Sequence, residues 1–302
     1  MYIKSTNSFF GIERFMTETV VTRIAPTPSG YLHLGNAVNF ILSWIYARKR
    51  GGVVHLRIDD IDSARIRPEY VEDIFTTLKW LGIDYDHGPG SAKDFYQSYS
   101  QKLKIRDYVK YPIGNPSFYV CSCSRRQLKD LSIKGIGEHN CQNQNNLLVT
   151  GENALRMVVT EQPILVGDQR VNLYQEMGDF IVIRRDGLPA YQLVSLIEDM
   201  QASVTHIIRG ADLLPSTAAQ LYLARALGIV EFAKITFYHH PLVKDEDGGK
   251  LSKSQGAMAL TTMRRQGQSS DQIYHFLVKY MGWGDYRPDS LDQLLKIAPA
   301  SF

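Results

Sequence analysis

Val20-Val21-Thr22-Arg23-Ile24-Ala25-Pro26-Thr27-Pro28-Ser29-Gly30-Tyr31-Leu32-His33-Leu34-Gly35-Asn36 runs from a β-branched stretch through a proline-braced loop into an apolar-periodic segment. The run 20–25 reads as a buried strand, and Pro26, Pro28 and Gly30 end it in a sharp loop. Leu34, Val38, Ile41, Leu42 and Ile45 then recur at helical spacing, and Arg48, Lys49 and Arg50 close the last turn before the breaker Gly51-Gly52. Val53–Ile58 is a second short strand. Together these make a β-loop-α-β unit, for which a right-handed crossover and a parallel sheet are expected. A helix start after such a loop offers free backbone N–H groups and a partial positive charge, so phosphate docks there. Gly35 would let a nucleotide approach the backbone, and His33 could donate to a phosphate oxygen as charge builds. Most histidines in a lone His-x-Gly-x tetrad, however, merely cap or pack.

Outward from this unit, a helix begins near Pro68 with Glu69, Glu72 and Asp73 in its first turns, buries Val71, Ile74, Phe75 and Leu78, and stops at Gly82. From about Tyr99 to Gly178 the periodicity weakens and the cysteines appear. The polar tract Glu138–Asn146 reads as an exposed loop, so this stretch is expected to be an insertion between two halves of the sheet. Strands over 180–184 and 204–209 are expected to resume the parallel order, with Asp186-Gly187 a turn and Ser216 opening a helix to about Leu227. Ser290 and Gln293 stand at capping-box spacing at the head of a last helix, 290–297. The expected class is α/β: a Rossmann-type parallel sheet split by an inserted subdomain, with a short helical C-terminal tail. Its expected divisions are 1–15 (N-terminal extension), 16–98 (first half of the sheet domain), 99–178 (insertion), 179–260 (second half) and 261–302 (tail).

At 302 residues, 44% hydrophobic and 22% charged, the chain can bury a sizeable core in two or three packed units. The formal charge of +3 suits an RNA partner and equally suits enzymes that never meet one. Three cysteines, two of them in Cys121-Ser122-Cys123, argue against a secreted disulfide framework and for reduced thiols in the cytoplasm. The first fifteen residues lack the apolar core of a signal peptide, and Met16 directly ahead of the first strand marks them as an upstream-start extension. No stretch reaches the roughly 18 apolar residues of a membrane span.

Far downstream, Lys250-Leu251-Ser252-Lys253-Ser254 follows a turn-rich acidic loop, 245–249. Two lysines three apart among small hydroxylic residues suit a cationic clamp on a departing pyrophosphate, although alone they read equally as a solvated basic loop. In this order the two segments resemble the signature motifs of the class I aminoacyl-tRNA synthetases, His33-Leu34-Gly35-Asn36 and Lys250–Ser254, with Asn36 in place of the general class's second histidine. Arg23–Gly30, Leu56-Arg57-Ile58-Asp59-Asp60-Ile61-Asp62, Asp179-Phe180-Ile181-Val182 and Ile208-Arg209-Gly210-Ala211-Asp212-Leu213 are similar to the glutamate-specific branch. Within it the chain most resembles the short glutamyl-queuosine tRNA(Asp) synthetases, from Thr22 to about Ser254.

That resemblance implies ATP, Mg2+ and glutamate as ligands. His33 and Lys253 would be catalytic, with Gly35, Asn36, Lys250 and Ser252 joining them around ATP. Arg23 and Arg209 would meet the substrate carboxylates, Asp59 its ammonium, and Thr27 and Tyr191 would complete the amino-acid site. Asp59 stands where the family usually has glutamate, one methylene longer. Asp60 and Asp62 are expected to be structural partners of Arg57 or Arg65. Cys121, Cys123 and Cys141 resemble the family's Zn2+ insertion; its usual tyrosine is Gly137 here, so His139 is the expected fourth ligand. Only 49 residues follow Lys253, too few for the anticodon-binding domains of full-length glutamyl-tRNA synthetases. The expected RNA partner is therefore tRNA(Asp) bearing queuosine, met by a monomer. The alternatives are a truncated enzyme charging tRNA(Glu) and a non-catalytic paralogue that binds glutamate or RNA.

Overall fold

The computed structural model describes residues 19–124, 126–128, 140–144, 146–243 and 259–302. The extension 1–15, His139, Lys250, Ser252 and Lys253 lie outside the described residues.

β1 (Val21–Ile24), α1 (Leu34–Arg48), β2 (Val53–Leu56) and α2 (Pro68–Trp80) form the expected opening unit. β1 and β2 pair in parallel from Val21↔Val53 to Ile24↔Leu56. Val38, Ile41, Leu42 and Ile45 of the helical stripe are fully buried, so the periodicity read from the sequence is the face that packs on the strands. Pro68 opens α2, where its missing N–H leaves no bond unmade.

The inserted stretch builds its own antiparallel sheet. β3 (Phe118–Cys121) pairs with β4 (Ala154–Met157), the hairpin β5 (Ile164–Val166) and β6 (Gln169–Val171) follows, and β7 (Ile181–Ile183) returns to β4. The strand expected over 180–184 therefore forms but does not resume the parallel order: it is antiparallel to β4. A parallel pair needs a crossover of a dozen or more residues, usually a helix. Between β4 and β7 lie only a hairpin and one four-residue helical turn, Leu173–Glu176.

The parallel order returns one strand later. α3 (Tyr191–Gln201) leads to β8 (His206–Gly210), α4 (Leu214–Ala226) and β9 (Thr236–His240), with β8 and β9 parallel from His206↔Thr236 to Gly210↔His240. The Thr205 N–H donates to the Val21 carbonyl at 3.0 Å, laying this second pair beside the first. α4 starts two residues ahead of Ser216, with Pro215 in its first turn. In such sheets ligands collect outside the carboxyl ends of the strands.

α5 (Leu260–Arg265), α6 (Asp271–Met281) and α7 (Leu291–Ile297) close the chain. Ser290 caps α7 by accepting from the Gln293 N–H at 3.4 Å. Leu260, Leu277, Val278 and Leu294 share one apolar core with α1 and α2. Asp73 of α2, 7% exposed, is held by Thr261 and Arg264 of α5. The tail is thus part of the wall of the first half. Among the described residues no helix is long and apolar enough to cross a membrane.

Candidate active site

At the strand ends lies a cleft of about 380 Å3 lined by Pro26, Thr27, Tyr31, Asn36, Asp59 and Tyr191, among others. The loop after β1, the start of α1, the exit of β2 and the first residue of α3 each supply part of it. His33 precedes α1 in extended backbone, and Asn36 Oδ1 accepts its N–H at 3.0 Å, so Asn36 fixes the helix start on which the loop turns. A Cβ at Gly35 would meet the His33 ring at 3.2 Å. The space that glycine leaves is therefore used by the imidazole itself.

His33 forms a bridge with Ala259, and the Leu260 N–H donates to the Leu32 carbonyl at 2.9 Å. Ala259 stands six residues beyond Lys253. The chain that follows the second motif thus returns to the first, more than two hundred residues away in sequence, at Ala259 and Leu260.

Behind the cleft lies a network of charge. Arg23 Nε bonds Asp199 at 3.1 Å and Arg57 Nη1 bonds the same oxygen at 2.6 Å. Arg57 also grips Asp59 with a fork, Nε to Oδ1 at 2.7 Å and Nη2 to Oδ2 at 3.2 Å. Gln101 Nε2 adds a third bond to Asp59 at 2.9 Å. Burial pushes the Asp59 carboxyl up even though Arg57 opposes it. Burial also works against Asp199 ionising, but Arg57 and Arg23 win and hold it below the usual carboxylate range.

Arg57 thus pairs with Asp59 and not with Asp60 or Asp62. Extended chain leaving β2 puts positions two apart on one side, so 57 and 59 meet while 60 faces away. Asp60 accepts from Ser100 Oγ at 2.6 Å and the Gln101 N–H at 2.8 Å, and Asp62 bonds Arg184 at 3.2 Å. Asp59 still lines the cleft, but its carboxylate is already shared with Arg57 and Gln101. Arg23 borders a neighbouring cavity of about 300 Å3 together with Arg57 and His55.

Arg209, at the end of β8, is 1% exposed. Its Nη1 donates to Gln220 Oε1 at 3.0 Å and Thr217 Oγ1 at 3.2 Å, while its Nε and Nη2 have no hydrogen-bond partner among the described residues. Burial, with Arg23 and Arg57 close by, pushes its pKa down to about 10, which still leaves it charged at neutral pH. Arg23 and Arg57 are ion-paired with Asp199 and Asp59, whereas Arg209 is in no ion pair among the described residues. Lys104 and Glu198 pair with each other at 2.6 Å. A buried, half-bonded guanidinium is costly unless an anion completes it, and a carboxylate fits its two idle N–H groups.

Sequence reading missed Asp199, Gln101, Thr217, Gln220 and His239, and cast Arg57 only as a structural partner. Arg57 carried a usable signal, two residues from Asp59 at a strand exit. The others lie on elements that meet only in three dimensions.

In the insertion, the sulfurs of Cys121, Cys123 and Cys141 all lie within 4.8 Å of one another, Cys123 and Cys141 at 3.6 Å. Zn–S arms of about 2.3 Å in a tetrahedron put sulfurs roughly 3.8 Å apart, so the three thiols fit three of zinc's four positions. Cys141 is buried, although the polar tract around it reads as exposed. Among the described residues no fourth His, Cys, Asp or Glu joins the set.

Residues 19–293 match the family described as tRNA synthetases class I (E and Q), catalytic domain. A protein from Symbiobacterium thermophilum named glutamyl-Q tRNA(Asp) synthetase is 36% identical over 91% of this chain and 92% of its own. A glutamate–tRNA ligase from Sulfurihydrogenibium is 32% identical over 86% of this chain but only 58% of its own. In the crystal structure of the glutamate-tRNA synthetase from Elizabethkingia anophelis, 92% of this chain superposes on 65% of that one, with a TM-score of 0.70 at 24% identity, a likeness of fold.

Proposed function

Since the chain belongs to the class I tRNA synthetases of the E and Q type, we propose that it activates glutamate with ATP to glutamyl-AMP and transfers the glutamyl group to the queuosine base of tRNA(Asp). One observation carries the amino-acid assignment: the idle face of buried Arg209, a cation in no ion pair among the described residues. A second carboxylate on the substrate would pair with it. An amide in its place would leave the charge unpaired.

In this reading Arg209 and Arg23 take the carboxylates, and Asp59 Oδ2, which carries the longer bond of the Arg57 fork, receives the ammonium on its remaining lone pair, with Tyr191 and Thr27 closing the sides. The α-carboxylate then attacks the α-phosphorus in line; the bond to pyrophosphate breaks as the anhydride forms. His33 and the N–H groups opening α1 support the α-phosphate, and Lys250, Ser252 and Lys253 hold the departing pyrophosphate. Mg2+ arriving with ATP supplies further neutralisation of the phosphates. No covalent enzyme intermediate is required. Positioning and electrostatics carry the rate.

The RNA assignment is supported by the relative named glutamyl-Q tRNA(Asp) synthetase, 36% identical to this chain. The chain spans 92% of the glutamyl-Q relative but about three-fifths of the glutamate–tRNA ligases it matches. Labelled glutamate is expected in queuosine-containing tRNA(Asp) and not in tRNA(Glu). Labelling of tRNA(Glu) instead would overturn the RNA assignment and leave glutamate activation standing. Zinc on the three thiols belongs to the same proposal: elemental analysis of the purified chain is expected to find about one equivalent, lost on Cys123→Ser, and a metal-free wild type would refute it.

A further inference from the structure

Arg209 can serve a carboxylate only if its planar fork is held at a fixed angle, because a guanidinium on a flexible stem loses bidentate geometry with small rotations. The side chains that hold it come from two elements outside the motifs. Thr217 and Gln220, one turn apart on α4, both accept from Nη1, at 3.2 and 3.0 Å. The Thr217 hydroxyl has a single proton, which it gives to the Leu213 carbonyl at 3.1 Å. Its lone pairs are then left for Arg209 and for Nε2 of His239, 2.8 Å away on β9. Burial and the Arg209 cation keep His239 neutral, with its pKa down to about 4. The Phe237 ring centroid lies 5.6 Å from the guanidinium carbon and its plane is near parallel to His239, 6.5 Å between ring centres. All these bonds fall on one nitrogen. The other face, Nε and Nη2, is left unbonded and buried.

We infer that Thr217, Gln220 and His239 are positioning residues: they hold Arg209 by one nitrogen so that its opposite edge is presented to the substrate carboxylate. This rests on the reading of glutamate as substrate. None of the three lines the cleft, so their removal is expected to affect the carboxylate through Arg209. Glutamate binding should weaken while ATP binding does not.

The experiment is glutamate-dependent ATP–pyrophosphate exchange by three variants. Thr217→Val keeps the shape and loses the hydroxyl; it is expected to raise the KM for glutamate about tenfold, with the KM for ATP within about twofold of wild type. Thr217→Ser, which keeps the hydroxyl, is expected to stay within about twofold on both. In an Arg209→Ala background, Thr217→Val is expected to add nothing further, since the residue it positions is gone. Equal effects of Val and Ser, or full additivity with Arg209→Ala, overturn the inference while glutamate activation stands. Wild-type protein without any glutamate-dependent exchange overturns the reading of function, and this inference with it. An unchanged KM for ATP in the Val variant shows that the protein is folded, so its glutamate KM decides the matter.

Discussion

Arg209→Ala is expected to raise the KM for glutamate in pyrophosphate exchange by roughly a hundred- to a thousandfold, equivalent to about 3–4 kcal/mol, the range for truncating one partner of a buried charge pair. The side chain is 1% exposed, carries charge and has two nitrogens, Nε and Nη2, with no hydrogen-bond partner among the described residues. An anion bound there gains what the folded chain alone leaves unsatisfied. The fold is expected to survive, because Asp199 and Asp59 are paired by Arg23 and Arg57 without it. Arg209→Lys is not a conservative change here: an ammonium cannot offer two parallel donors, so that variant should behave closer to alanine than to wild type. A KM for glutamate within threefold of wild type in Arg209→Ala would remove the basis for assigning an acidic amino acid.

Lys253→Ala is expected to act on the other half of the reaction. Exchange turnover should fall by roughly a hundredfold or more, the scale of losing one donor that serves only the transition state. The KM for glutamate should change little, since the residues assigned to the amino acid lie elsewhere in the chain. Lys253 itself lies outside the described residues; the expectation rests on the Lys250–Ser254 motif and on Ala259, which bridges His33 six residues later. Exchange at the wild-type rate would refute its role as a pyrophosphate clamp. The two variants separate binding from chemistry, one moving KM and the other turnover.

The amino-acid sequence by itself determined the local elements and carries both signature motifs. The strand, proline loop and helix start of 20–48, the helices headed by Pro68 and Ser290, and the motifs around His33 and Lys253 are written in contiguous residues. Their signals are apolar periodicity, caps and breakers, which act over one or two turns. Tertiary structure alone decided the partners. That β7 joins β4 antiparallel depends on the missing crossover helix, and β-branched composition is the same in either sheet. That Asp59 goes to Arg57, that Asp199 neutralises two arginines, and that Thr217, Gln220 and His239 orient Arg209 depend on elements up to 176 residues apart being packed together. Burial then sets the energetics, because an unsatisfied charge costs little in water and much inside the protein, and no local pattern records which arginine will be left with an open face.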